Sequence, residues 1–408
     1  MIMSFSNKIL DIAREAELSL RDEFARIDEI SYINTEKVMK AFSEFRVSKE
    51  CLLGSDGYGY DDKGRETLDK VVARVFNAED AFIRHNMING THALTIALFG
   101  ILRPGDVMLA VTGKPYDTLD EVIGISSKGA DGSGSLIDFG VEYRQVELGE
   151  DFSEQLKDPR VKMVYIQRSK GYVNRPTLSV EEINKIVEFS HARSNAYVVV
   201  DNCYGEFVDV TEPKADLIIG SLIKNPGGGV AESGGYIAGK REAVELCSYR
   251  YSCPAIGLEA GATLDQNKLL YKGFFYAPHT VAQAVKTAHF AAAVFEACGF
   301  DVSPKAGEKR NDIIQTLTLG EPDKLIKFCQ GIQAGSPIDS YVAPMPWAMP
   351  GYSDEVIMAA GAFVQGSSIE LSADGPMREP YIAFLQGGLT YESGRYGIMK
   401  ALEYILEN

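Results

Sequence analysis

A lysine and an aspartate lie near the ends of two apolar runs, where together they could form a catalytic site. Asp201 follows Tyr197–Val200, and Lys224 lies between Leu217–Ile219 and the glycine run Gly227–Gly229. The carboxyl ends of parallel strands are where open α/β sheets bind ligands. A lysine held rigidly and partly desolvated there would be neutral and nucleophilic near pH 7, as a Schiff-base lysine must be. Either residue alone is more often a cap or a solvated side chain, so the interpretation depends on both.

Two further segments suit an anion and a planar ring. Gly90 and Thr91 precede a helix predicted over Thr91–Leu102, and the free N–H groups of a helix N-terminus attract anions such as phosphate. Tyr116 lies on the loop after a strand predicted at Val107–Val111, where its ring can stack on a planar heterocycle. The alternatives are an ordinary N-cap for Thr91 and packing of Tyr116 against its own loop.

Short apolar runs alternate with helical segments between Ala81 and Leu222, and this pattern would position the groups above. Near-continuous Val and Ile runs separated by helices are typical of a parallel sheet covered on both faces. The preceding segment Ile9–Phe45 has helical periodicity, and Thr280–Cys298 is typical of a long Ala-rich helix. We therefore predict an α/β protein with an N-terminal helical arm over residues 1–55, a large domain over residues 56–279 and a smaller C-terminal α/β domain over residues 280–408.

Composition and charge exclude several classes of partner. The 408 residues carry a net charge of −16, whereas binding to nucleic acid or to an anionic membrane needs an excess of basic residues. No apolar run reaches the roughly 18–20 residues that span a bilayer, and the N-terminus lacks the apolar region of a secretory signal. The six cysteines form no CxxC pair, and the five histidines show no metal-ligand spacing. We expect a cytoplasmic protein with no metal, nucleic-acid or membrane partner.

In combination, these motifs resemble the fold-type I pyridoxal-phosphate enzymes, and most of all their cystathionine and methionine lyase group. The order is Gly90-Thr91-His92-Ala93, then Tyr116, then Asp201, then Ser221-Leu222-Ile223-Lys224. More narrowly, the chain resembles the methionine gamma-lyase-like proteins often labelled aluminium resistance proteins, from about residue 58 to the end. The segments that carry this likeness are Gly57–Asp62, Gly113–Tyr116, Lys224–Gly228 and Gln386–Glu392. The resemblance implies an aminotransferase-like fold, in which the large domain holds a mainly parallel seven-stranded sheet.

The resemblance also implies how the chain would hold its cofactor, pyridoxal 5′-phosphate. Lys224 would carry the cofactor as a Schiff base and then act as acid and base, with Tyr116 as the second catalytic residue, stacked on the ring. Asp201 would pair with the pyridinium nitrogen and keep it protonated. Tyr204 matches the position that donates to the phenolate oxygen of the ring in aminotransferase-like relatives. The phosphate would be bound by Gly90, Thr91 and Ser221.

Two further roles follow from the same resemblance. Tyr58 or Tyr60 would reach the phosphate of a neighbouring subunit, so we expect a homo-oligomer, either a dimer or a dimer of dimers. Arg378 is the candidate for binding the substrate carboxylate, because a guanidinium binds carboxylates in a bidentate manner. Arg395 is the alternative for this role.

The implied activity is that of a carbon–sulfur lyase, which eliminates a thiol from a sulfur-containing amino acid of the cystathionine or methionine type. The chain departs from the lyase pattern at three positions. Ile223 replaces a threonine, Tyr60 replaces an arginine, and Asn202-Cys203-Tyr204 replaces the usual residues after the aspartate. An aldolase or aminotransferase with the same cofactor site therefore remains open, as does a binding protein with a vestigial site, although the retained lysine, aspartate and phosphate loop disfavour the last.

Overall fold

The computed structural model describes residues 5–125, 132–173, 175–349 and 354–407. Within these residues two sheets are surrounded by helices. The strands are β1 (Asp80–Arg84), β2 (Val107–Ala110), β3 (Glu142–Gln145), β4 (Val161–Gln167), β5 (Tyr197–Asp201), β6 (Leu217–Ser221), β7 (Gly235–Gly239), β8 (Asp301–Ser303), β9 (Gln315–Thr318), β10 (Val356–Ala359), β11 (Ser372–Pro376) and β12 (Ile382–Gln386). The helices are α1 (Asn7–Ser19), α2 (Arg21–Glu44), α3 (Lys63–Val75), α4 (Gly90–Ile101), α5 (Asp120–Ile123), α6 (Val180–His191), α7 (Arg241–Tyr251), α8 (Asn267–Ala297), α9 (Pro322–Ala334) and α10 (Tyr391–Glu407).

The larger sheet has seven strands in the order β1-β7-β6-β5-β4-β2-β3. Strands β3, β2, β4, β5 and β6 run parallel, and β7 runs antiparallel to both of its neighbours. The central strands β5 and β6 are rich in Val, Ile and Leu, as is typical where helices cover both faces of a sheet. The predicted seven-stranded, mainly parallel sheet is therefore confirmed, and the carboxyl ends of β4, β5 and β6 meet at one edge of it.

The smaller sheet has five strands in the order β10-β11-β12-β9-β8, and every pair is antiparallel. Helix α9 packs over this sheet, and α10 packs against α9 and α8, with Phe328 and Leu402 in the same core. Strand β11 is buried along its whole length although its sequence is Ser-Ala-Asp-Gly-Pro, because it is the second strand of this sheet and faces the larger one.

A long helix connects the two sheets. Helix α8 is 31 residues long, and it buries Phe274 in the core of the larger sheet and Phe295 in the core of the smaller one. The domain boundary that we predicted at residue 280 thus lies inside a continuous helix. Of the N-terminal arm, α2 packs along α8, whereas α1 joins the core of the smaller sheet. No helix in the described part of the chain is long and apolar enough to cross a bilayer.

Candidate active site

Lys224 is held at the carboxyl end of β6 by a tight turn. Its backbone caps a short 3-10 helix, Asn225–Gly227, and the side-chain amide of Asn225 donates to the carbonyl of Glu206. Gly228 has a φ of +57°, and a Cβ there would lie 2.3 Å from the carbonyl oxygen of Gly273 in α8. Glycine is needed at this position because the turn both adopts a left-handed conformation and touches the helix backbone. The glycine run therefore fixes the lysine against the long helix.

The side chain of Lys224 is half-buried, and its Nζ lies 3.9 Å from the centroid of the Tyr204 ring. Burial lowers the pKa of Lys224, but Cys203, Tyr204 and Asp201 act in the opposite direction, and the net effect is a raised pKa. The sequence analysis expected a neutral lysine. In the protein alone the ammonium form is favoured instead, because the combined effect of Cys203, Tyr204 and Asp201 outweighs that of burial.

Asp201 ends β5 and is 7% exposed. Its Oδ1 accepts a hydrogen bond from the backbone N–H of Cys203 at 3.1 Å. Burial raises the pKa of Asp201, and the charge of Lys224 lowers it. Tyr204 follows with a φ of +73°, a conformation that non-glycine residues adopt only where the surroundings enforce it. Asp201, Tyr204 and Lys224 line the same cavity.

An anion cradle lies where α4 begins. Asn89 caps the helix through the N–H of His92, and Thr91 Oγ1 contacts Thr118 Oγ1 at 2.8 Å. The hydroxyl of Ser221 is fully buried and has no hydrogen-bond partner among the residues that the structure describes. A Cβ at Gly90 would lie 3.3 Å from Ser221 Cβ, so the helix start and the serine face each other closely. A buried donor without a partner beside a helix N-terminus fits a phosphate group.

Three connected chambers extend from this cradle. The phosphate chamber, about 590 Å³, is lined by seven of the predicted site residues: Gly90, Thr91, Tyr116, Asp201, Tyr204, Ser221 and Lys224. The lysine chamber, about 60 Å³, joins Lys224 to Asp374 and Gln386. The outer chamber, about 250 Å³, is lined by Lys170 and Arg378 among others. Tyr116 borders all three, so the phosphate cradle, the lysine and the outer chamber form one cleft.

The remaining predicted residues lie farther out. Arg378 borders the outer chamber with its side chain 52% exposed and paired with Asp354 at 2.9 Å. Arg395 pairs with Glu17 at 2.9 Å and is not among the residues that line the three chambers.

Tyr58 and Tyr60 stack on each other with ring centroids 5.6 Å apart, and both rings are mostly exposed. The backbone of their loop is bound to the same chain, because the N–H of Gly261 donates to the carbonyl of Tyr58.

The sequence analysis missed Lys170, Tyr172 and Asp374. Lys170 and Tyr172 lie just beyond the carboxyl end of β4, so the rule that identified Asp201 could have found them. Asp374 had no such signal, because Ser-Ala-Asp-Gly-Pro suggests a turn rather than a buried strand. Burial raises the pKa of Asp374 to about 7, although the Tyr172 hydroxyl and the charge of Lys224 lower it. No group of His, Cys, Asp and Glu within the described residues is placed to hold a metal ion.

A further buried acid, Glu206, lies beside β6 and predicts that the stability of the protein depends on pH. Glu206 is fully buried and accepts a hydrogen bond from the Tyr236 hydroxyl at 2.9 Å. Burial and the neighbouring Glu212 raise the pKa of Glu206 to about 8. In the unfolded chain its pKa is about 4.3. The folded state therefore holds a proton that the unfolded state has lost, and this costs about 1.4 kcal/mol of stability for each pH unit between about pH 5 and 8.

We expect Glu206→Gln to remove this dependence, because the amide keeps the acceptor for Tyr236 and does not ionise. Urea unfolding of both proteins from pH 5.5 to 8 measures the effect as the difference between the two slopes. The same slope in both proteins would show that Glu206 is ionised throughout this range.

The chain matches the family model described as methionine gamma-lyase over residues 9–406. A curated relative from Bacillus subtilis (strain 168), the uncharacterized protein YnbB, is 48% identical over 405 residues, which are 97% of this chain and 96% of the relative. A solved structure of a carbon-sulfur lyase involved in aluminum resistance from Clostridium novyi NT is 48% identical. It superposes with a TM-score of 0.93 over 98% of this chain and 97% of that one.

At the level of the fold alone, the chain is also similar to the pyridoxal-5′-phosphate dependent protein YhfS from Escherichia coli. The identity is 14% and the TM-score is 0.61, over 92% of this chain and 96% of that one. The aminotransferase-like α/β fold predicted from the sequence is confirmed.

Proposed function

Because this chain belongs to the methionine gamma-lyase family, we propose that it is a pyridoxal-phosphate-dependent lyase that eliminates a thiol from a sulfur-containing amino acid. One observation carries the proposal. Lys224 lies beside Asp201 and Tyr204 in a cleft whose far end is a phosphate cradle with an unpartnered buried hydroxyl, Ser221. A lysine, a buried carboxylate and an anion cradle in this order are the groups that a pyridoxal-phosphate enzyme needs.

The described residues fit this cofactor. Ser221 and the start of α4 would hold its phosphate, Asp201 its ring nitrogen, and Lys224 its carbonyl carbon. Tyr116 would cover the ring, since it borders every chamber of the cleft. When bound, the cofactor withdraws electrons from the Cα of an attached amino acid and so acidifies the Cα proton.

The residues of the lysine chamber provide the proton transfers. Lys224 Nζ would be the base that takes the proton from Cα. In β elimination a Cα–Cβ double bond then forms as the carbon–sulfur bond breaks with its electron pair on sulfur, whereas γ elimination also requires removal of a proton from Cβ. Asp374 faces the same chamber, and with a pKa of about 7 it is partly protonated at neutral pH. The chamber holds about 60 Å³, which leaves little space for water beside the reacting atoms.

Aromatic rings suit a sulfur-containing side chain. The centroids of Tyr172 and Phe384 are 5.0 Å apart, and Tyr172 lies 6.2 Å from Tyr116. All three rings line the lysine chamber, where the side chain of a bound amino acid would extend. Sulfur atoms pack favourably against ring edges, with a gain of about 0.3–1.5 kcal/mol for each contact. This wall supports a thioether substrate over a strongly polar one.

The test is product analysis on the holoenzyme with a panel of amino acids that includes cystathionine, methionine and S-alkyl cysteines. We expect pyruvate or 2-oxobutyrate in equal amount with a free thiol, and the identity of the keto acid separates β from γ elimination. Glycine with an aldehyde would indicate an aldolase instead. Amino transfer that depends on a keto acid would indicate an aminotransferase. No turnover of any amino acid would contradict all three activities.

We also propose that the active unit is a homodimer, or a pair of dimers, in the cytoplasm. The support is the loop Gly54–Tyr60, whose backbone is bound to its own chain while two stacked tyrosine rings are left in solvent. Exposed rings of this kind are typical of protein interfaces. Full activity of a monomer in sedimentation experiments, or recovery of the protein outside the cytoplasmic fraction, would contradict these two proposals.

A further inference from the structure

Lys170 is a buried cation that has no partner among the described residues. It is 1% exposed and lines the outer chamber, yet its Nζ donates no hydrogen bond and belongs to no ion pair within the part of the chain that the structure describes. The other two basic residues of this chamber are already paired. Lys114 contacts Asp117 and Asp120, and Arg378 contacts Asp354, as described above.

The surroundings of Lys170 do not neutralise it. Its acidic neighbour Asp312 already accepts hydrogen bonds from the hydroxyls of Ser169 at 2.8 Å and Thr177 at 2.6 Å. Burial lowers the pKa of Lys170, Asp312 raises it, and the nearby Arg310 and Arg175 lower it further. Lys170, Arg310 and Arg175 thus share one acidic neighbour, Asp312, whose carboxylate is already hydrogen-bonded. A buried charge without a counter-charge is costly, so the site favours an anionic ligand.

The position of Lys170 connects it to the reaction. The outer chamber and the lysine chamber share Tyr116, Gln167, Gly171 and Tyr172, so a molecule that extends from Lys224 past these residues enters the space that Lys170 faces. An amino acid whose nitrogen takes the place of the Lys224 nitrogen on the cofactor would hold its Cα beside Lys224, within reach of this shared space. We propose that Lys170, rather than Arg378 or Arg395, binds a carboxylate of the amino-acid substrate. This inference rests on the proposed function, because that function places an amino acid at Lys224.

The two possible sources of the carboxylate are the α-carboxylate and a second, distal carboxylate such as cystathionine carries. L-Alanine has only the first, L-2-aminoadipate has both, and L-alaninamide has neither. None of these probes has a leaving group on sulfur, so their binding does not depend on carbon–sulfur cleavage. The product analysis therefore tests the proposed function, and the binding of these probes tests the role of Lys170 separately.

The experiment measures the affinity of the wild-type holoenzyme and of Lys170→Met for the three probes by spectral titration. Loss of a charged hydrogen bond weakens binding about 10- to 100-fold. We expect this loss for both amino acids if Lys170 binds the α-carboxylate, and for L-2-aminoadipate alone if it binds the distal one. Binding of L-alaninamide should change less than about 2-fold in either case. Lys114→Met is the matched control, because it removes a lysine of the same chamber that already has carboxylate partners.

Three results would overturn the proposal. The first is that Lys170→Met loses as much affinity for L-alaninamide as for the two amino acids. The second is that it loses affinity for neither amino acid. The third is that Lys114→Met loses as much affinity as Lys170→Met. A purely structural role predicts that Lys170→Met unfolds more easily than the wild type, whereas removal of an unpaired buried charge should leave the stability unchanged or higher. Lys170→Gln is measured in parallel, since it keeps a polar group in the chamber. It should fold and show the same selective loss.

Discussion

Lys224→Ala is expected to reduce turnover of every substrate at least ~10⁴-fold, which corresponds to about 5.5 kcal/mol of barrier. The variant removes the amine that we propose as the base for the Cα proton. This amine lies 3.9 Å from the centroid of the Tyr204 ring and lines the lysine chamber. Cofactor binding should weaken but persist, since the phosphate cradle around Ser221 does not involve the lysine side chain. The measurements are steady-state turnover and the absorption spectrum of the purified variant.

Borohydride treatment of the wild-type holoenzyme tests the same assignment directly. We expect the reduced cofactor to be attached to Lys224. The serious rival is Lys170, a fully buried lysine that lines the outer chamber of the same cleft, so peptide mapping must resolve these two residues. Attachment to Lys170, or a Lys224→Ala variant with substantial turnover, would contradict the central claim. Lys114→Ala is the matched control and should behave as the wild type.

Asp201→Asn is expected to reduce kcat at least ~100-fold, or about 2.7 kcal/mol of barrier. The buried carboxylate would hold the ring nitrogen of the cofactor in its protonated form by opposite charge at short range. Asparagine keeps the hydrogen bond from the N–H of Cys203 and removes only the charge. Cofactor affinity, measured by equilibrium dialysis, should fall much less than kcat because the phosphate contacts remain. Near-normal turnover would show that the carboxylate does not face the ring nitrogen.

The residues that the sequence analysis grouped together do line one chamber, because local rules govern where each of them lies. Asp201 ends a Val-rich strand, and Gly90 opens a helix, so neighbouring residues alone indicate where each group points. The seven-stranded sheet was expected only from the resemblance, since the order of strands depends on contacts between distant segments.

The residues beyond the centre could not be predicted in the same way. Asp374 enters from an antiparallel strand of the other sheet, and no pattern around it indicates that it faces Lys224. Arg378 was selected for its chemistry, but its pairing with Asp354 is decided by how two loops meet. The raised pKa of Lys224 likewise depends on groups that only folding brings together.

The placement of α1 has a consequence for synthesis of the chain on the ribosome. Its apolar face, which includes Ile9 and Leu20, is buried against Phe290 and Ile398 in the core of the smaller sheet. About 250 residues separate α1 from α8 and about 370 separate it from α10, so at ~5–20 residues per second α1 waits on the order of 10–50 s for its first partner and 20–70 s for the second. A helix of 13 residues is only marginally stable alone in water. The nascent chain therefore presents an apolar segment to chaperones that is unpaired until α8 has been made and only partly covered until α10 has been made.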